Sequence, residues 1–99
     1  MSDNGVRVVA RVVARPGKEV ELRALLRGLV EPTCREPGCV TYELLQNKAE
    51  PTDFTFVEEW RSEEDLDVHL QSPHLRNARL RLPDLAAADP DIRRYTVVG

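Results

Sequence analysis

Val6-Arg7-Val8-Val9-Ala10-Arg11-Val12-Val13-Ala14 is the stretch that decides the fold. It is β-branched and alternating, so it reads as a first strand, and Pro16-Gly17 ends it. Directly after it the period changes. From Lys18 onward Leu22, Leu25, Leu26 and Leu29 recur at spacings of three and four, the apolar stripe of one helix running to about Thr33. Gly28 and Pro32 weaken its last turns, and Pro37-Gly38 closes the unit.

Two further strands follow, Val40–Gln46 and Asp53–Trp60, joined by a polar hairpin loop over Asn47–Thr52. Ser62 then caps a helix over residues 63–71, with Asp65 three positions on. Ser72-Pro73 caps another over residues 73–82, with proline at the first helical position, and Pro83 is expected to end it. Ile92–Val98 reads as the fourth strand. The order strand, helix, strand, strand, helix pair, strand is the split pattern of a ferredoxin-like βαββαβ sandwich, an α+β fold with a four-stranded antiparallel sheet.

The strands carry apolar residues on both faces. Val6, Val8, Ala10 and Val12 share one face of the first strand while Val9 and Val13 occupy the other, and the third strand sets Phe54, Phe56 and Trp60 against Val57. A sheet wet on one side alternates more cleanly. Helices cover only one face, so the expectation is that the other meets a second copy in a homodimer.

Length and charge narrow the function. Ninety-nine residues with 41% hydrophobic content fit one domain over 1–99. The formal charge of −3, from 14 basic against 17 acidic residues, argues against a nucleic-acid partner. No apolar run reaches membrane-spanning length, and Met1-Ser2-Asp3-Asn4-Gly5 lacks the plan of a signal peptide, so a cytoplasmic protein without a membrane partner is expected. Charge is uneven: residues 36–70 hold ten acidic and two basic groups. Cys34 and Cys39 lack the two-residue spacing of redox or zinc motifs and read as free thiols.

Candidate chemistry concentrates in a few side chains. There is no glycine-rich phosphate loop, dinucleotide fingerprint, nucleophile elbow or i,i+4 histidine pair. Both histidines, His69 and His74, flank the bend between the paired helices. Asp65 lies four residues before His69, on the same helical face, where its carboxylate would orient the ring. A metal site built from Asp65, His69 and His74 matches no strong spacing motif, so no metal is expected. Glu58 shares a strand face with Phe56 and Trp60; it is either paired with an arginine, the more economical reading, or has a raised pKa suited to proton transfer. Arg7, Arg11 and Arg15 share one strand face and offer partners for acidic groups across a dimer interface.

Arg15-Pro16-Gly17-Lys18, the leucine-striped helix, Glu36-Pro37-Gly38-Cys39-Val40-Thr41-Tyr42-Glu43-Leu44-Leu45, Phe56-Val57-Glu58-Glu59-Trp60 and His69-Leu70-Gln71-Ser72-Pro73-His74 together resemble the antibiotic biosynthesis monooxygenase domain family. The resemblance runs from about residue 6 to 98. It implies a dimeric α+β barrel of ferredoxin-like protomers. It also implies a monooxygenase that oxidises a quinol or polycyclic phenol with O2 and uses no cofactor: no metal, flavin or haem. The haem-degrading branch carries a tryptophan and a haem-ligating histidine where this chain has His69 and Arg79, which argues against haem. On this reading His69, His74 and Glu58 carry the proton chemistry, and Trp60, Phe54, Phe56, Leu75 and Tyr95 line the substrate pocket. Two other readings stand beside it. The histidine pair also resembles isomerases of a small phosphorylated metabolite, for which Arg79 or Arg94 would supply the anion site, and a non-catalytic dimeric ligand-binding module is the third.

Overall fold

The computed structural model describes residues 5–99; Met1-Ser2-Asp3-Asn4, weighed above for a leader, lies outside them. Eight elements follow one another: β1 (Val6–Val13), α1 (Glu19–Arg27), α2 (Val30–Cys34), β2 (Cys39–Gln46), β3 (Asp53–Trp60), α3 (Glu63–Leu70), α4 (Pro73–Leu85) and β4 (Asp91–Tyr95). The strands form one sheet in the order β2-β3-β1-β4, every pair antiparallel. This is the ferredoxin-like α+β arrangement that the order of periodicities implied.

The helices cover one face of the sheet. Val6, Val8, Ala10 and Val12 of β1 and Phe54, Phe56 and Trp60 of β3 are buried on that face, against Leu22 and Leu26 of α1, Leu66 of α3 and Ala78 of α4. The opposite face is barer. Val9 and Val57, which face one another across the β1–β3 ladder, remain 36% and 39% exposed. On either side of that valine pair, Arg7 meets Glu59 at 3.5 Å and Arg11 meets Asp53 at 2.9 Å. These arginines therefore find acidic partners within their own chain. Arg15 donates instead to the Pro83 carbonyl.

Three differences from the sequence reading exceed a one-residue shift of a boundary. The leucine-striped helix is broken into α1 and α2 at Gly28-Leu29, where glycine's poor helix propensity loosens the ladder. Pro83 lies inside α4, which runs on to Leu85. Its missing N–H frees only the Arg79 carbonyl within a last turn, and the Pro83 carbonyl accepts from the Arg15 guanidinium. β4 stops at Tyr95 rather than Val98; Tyr95, paired with Arg7 near the start of β1, is its last paired residue among the described residues.

The two serine caps form as the spacing indicates. Ser62 Oγ accepts the Asp65 N–H at 3.1 Å, and Ser72 Oγ accepts the Leu75 N–H at 3.4 Å. The bend between the caps sets the last turn of α3 beside the first turn of α4, and with them the two histidines. No helix among the described residues is long and apolar enough to cross a membrane.

Candidate active site

Glu36 sits in the turn between α2 and β2, and that turn is fixed to the rest of the chain at Gly38. The Gly38 carbonyl accepts the Arg61 N–H at 3.0 Å. On its other side α3 passes so close that a Cβ on Gly38 would lie 2.2 Å from the Asp65 Cβ. Only glycine fits this approach. The contact brings a residue 33 positions away in sequence under the histidine pair.

Glu36 Oε2 lies 2.8 Å from His69 Nδ1 and 2.8 Å from His74 Nε2. A carboxylate oxygen only accepts, so both ring nitrogens donate to it. For His69 this fixes the proton on Nδ1 and leaves the lone pair on Nε2. The orienting carboxylate is therefore Glu36, not Asp65, which packs against Gly38 instead. Periodicity along one helix pointed to Asp65; the true partner arrives through a turn that no local spacing encodes.

The His69 ring is 2% exposed and packed among aromatics. It lies 4.6 Å from the Trp60 ring and meets Tyr42 edge-on at 5.4 Å, while Tyr42 stacks on Phe56 at 4.8 Å. Burial holds the His69 pKa below its ordinary value; contact with Glu36 opposes this, and His74 and Arg79 reinforce it. Burial also pushes up the Tyr42 phenol, which stays protonated.

Glu58 is buried on the same sheet face, 4% exposed, and among the described residues has no arginine partner. The Trp60 indole N–H donates to its Oε1 at 2.8 Å, satisfying both groups. Burial raises the Glu58 pKa to about 7, the indole bond works against the rise, and nearby Glu36 adds to it. Of the two states the sequence allowed, the structure selects the raised pKa.

Between the sheet and the helices lies an apolar cavity of about 70 Å³. His69, Glu58, Tyr42 and Phe56 form its deep wall, and Leu75, Arg79 and Leu82 of α4 cover it. Of the side chains named from sequence, His69, Glu58, Phe56 and Leu75 line this cavity. Trp60 and Phe54 are buried but do not line it, His74 sits behind His69 on Glu36, and Tyr95 is exposed beside another groove near Gly5. Tyr42, which was not among the pocket residues expected from the sequence, forms part of the wall. Arg94 is held by Glu63 and Asp67, and Arg79 donates to the Leu70 carbonyl. Cys34 and Cys39 are free thiols, and burial pushes Cys39 up to about 11.

A four-stranded sheet roofed on one face, with a carboxylate-clamped histidine over an aromatic hollow, defines a small α+β protein of ferredoxin-like topology. The sequence profile described as antibiotic biosynthesis monooxygenase matches residues 5–80, and the chain belongs to that family. It is 39% identical over 80 residues to "Putative monooxygenase Rv0793" of Mycobacterium tuberculosis, a match covering 81% of this chain and 78% of that protein. The solved structure of that protein superimposes with a TM-score of 0.90, covering 96% of each chain. A crystal structure titled as an antibiotic biosynthesis monooxygenase is 28% identical, with a TM-score of 0.88 over 95% of this chain and 99% of that one. An uncharacterised Synechocystis protein, sll1783, is 32% identical over 96 residues and 97% of this chain; the chain spans 65% of that relative's length.

Proposed function

We propose that this chain is a cofactor-independent monooxygenase that oxidises a quinol or an anthrone-type polycyclic phenol with O2. The observation that carries the reading is the Glu36-clamped His69 in the wall of the apolar cavity, beside Glu58. His69 Nε2, holding the free lone pair, takes the acidic proton of the substrate. Glu36 stabilises the imidazolium that results. The substrate anion is electron-rich enough to pass an electron to O2, and recombination forms the carbon–oxygen bond. In an anthrone two C–H bonds of the activated methylene break and one oxygen atom stays as the new carbonyl. In a quinol two O–H bonds and one ring C–H bond break, and that oxygen stays as a new hydroxyl on the quinone. In both the other oxygen leaves as water. The four electrons taken up by O2 come from the substrate, so no external reductant is needed. Glu58, titrating near neutrality, returns a proton to the departing oxygen.

The cavity is smaller than the roughly 150 Å³ that admits benzene, so a polycyclic guest requires Leu75, Leu82 and Arg79 of α4 to swing outward. The bare sheet face supports the homodimer. Two copies packed over the Val9–Val57 pair would bury the apolar centre and keep the flanking ion pairs at its margin. His74 supports the reading as the second donor that holds the Glu36 carboxylate in place.

Oxygen consumption on adding a reduced naphthoquinone or an anthrone tests the proposal. Stoichiometric uptake with formation of the oxygenated quinone is expected. Turnover of a linear phosphosugar without oxygen use would replace this reading with an isomerase, and no conversion of either class would replace it with a ligand-binding module.

A further inference from the structure

We infer that Glu36, His69 and His74 form a binding site for one divalent first-row transition cation of the zinc, cobalt or nickel class. The three ligand atoms all lie within 4.8 Å of one another and come from three separate elements: the α2–β2 turn, the end of α3 and the start of α4. Two imidazole nitrogens and one carboxylate oxygen are a borderline donor set that suits these ions better than magnesium or calcium.

The spacing is close to what such an ion needs. First-row ions hold nitrogen and oxygen ligands at roughly 2.0–2.2 Å, which separates the ligands by a little over 3 Å. The carboxylate oxygen now sits 2.8 Å from each nitrogen with a hydrogen between. An ion takes the place of the two bridging hydrogens when Glu36 retreats slightly and the two ring nitrogens, which lie within 4.8 Å of each other, close around it. The backbone on each side is anchored, by the Ser72 cap of α4 and by the Gly38–Asp65 contact. Residues 36–70 supply a negative field, and the last turn of α3 adds the favourable end of its dipole. Arg79 is a nearby cation, and its guanidinium is already engaged by the Leu70 carbonyl. Three protein ligands leave a fourth position for water.

The ion switches the histidine. Coordination at Nδ1 uses the lone pair that now carries the proton, so the proton moves to Nε2 and the cavity-facing nitrogen changes from acceptor to donor. This consequence, inhibition by the ion, rests on the function proposed above; binding itself does not.

The test is a cobalt(II) titration of untagged, chelator-treated protein followed by visible absorbance. One equivalent per chain is expected, with d–d bands of a low-coordinate nitrogen–oxygen site. Glu36→Gln and His74→Ala should each weaken binding by roughly tenfold or more. Glu64→Gln, on an exposed position of α3, should leave it unchanged. Because a substituted site could distort the fold, circular dichroism of each variant and paramagnetically shifted imidazole resonances in the unaltered protein accompany the titration. Absence of the bands and shifted resonances, or bands equally strong in folded Glu36→Gln and His74→Ala, would overturn the site. Cobalt bands without oxygen uptake on any phenol sustain the site while removing the proposed oxidation. Intact uptake without cobalt bands does the reverse.

Discussion

The Trp60 indole N–H donates to Glu58 Oε1 at 2.8 Å, two residues away on the same face of β3. This bond places an ionisable carboxyl in the core, in contact with a fully buried indole and, among the described residues, without a cationic partner. The folded state therefore prefers the protonated acid, with a pKa of about 7 against an ordinary 4.5.

The linkage has a definite sign. Between pH 4.5 and 7 the unfolded chain gives up its Glu58 proton while the folded chain keeps it, so this stabilising contribution is complete below pH 4.5 and lost as pH rises through 7. Glu58→Gln retains an oxygen to accept the indole and removes the ionisation. At pH 8 the variant should exceed the unaltered protein in stability by on the order of 2–3 kcal/mol, with little difference at pH 4. Urea denaturation at both pH values measures it; parallel pH profiles for the two proteins would contradict the buried, unpaired state of Glu58.

The Glu36 clamp fixes a tautomer. Nitrogen-15 NMR of His69 should show the neutral ring protonated at Nδ1, and Glu36→Ala should release that preference. A ring protonated at Nε2 in the unaltered protein would place the lone pair toward Glu36 and remove the base from the cavity.

Gly38 holds the clamp in place. Gly38→Ala drives a Cβ to 2.2 Å from both Cβ and Cγ of Asp65, neither of which is the far end of a flexible chain. Overpacking of this kind costs about 1–3 kcal/mol. The urea midpoint should fall, and the Glu36–His69 bond should lengthen as the turn lifts from α3. An unchanged midpoint would mean that α3 and the turn separate freely.

Much of the fold was legible because its signals are local. The alternation in Val6–Val13, the leucine stripe and the two serine caps each act within one element, and strand parity alone put Glu58 on the face of Trp60. What was not legible depends on tertiary approach. Glu36 reaches His69 only because Gly38 admits α3, and sequence spacing instead favoured Asp65. The resemblance implied that Phe54 and Trp60 line the pocket; parity puts them on the right face of β3, but it does not give the position of the hollow above it, which neither lines. Tyr95 read as a pocket residue although its ladder position opposite Arg7 leaves it exposed. The proline in α4 was misjudged for a related reason, since a helix's last turn loses little by it.

The bare sheet face yields a further expectation. Val57→Lys inserts a charge opposite Val9 at the centre of that face, and two such lysines would meet across the proposed interface. Light scattering should give a dimer for the unaltered protein and a monomer for the variant, each with the same circular dichroism. A monomer at all concentrations before substitution would remove the dimer.

The most direct measurement is oxygen uptake by His69→Ala with an anthrone-type phenol, on protein shown to be folded by circular dichroism. A general base contributes about 10²–10⁴ in rate, and uptake should fall by that order. Uptake within about threefold of the unaltered protein, far short of a lost general base, would contradict the role of the Glu36-held histidine.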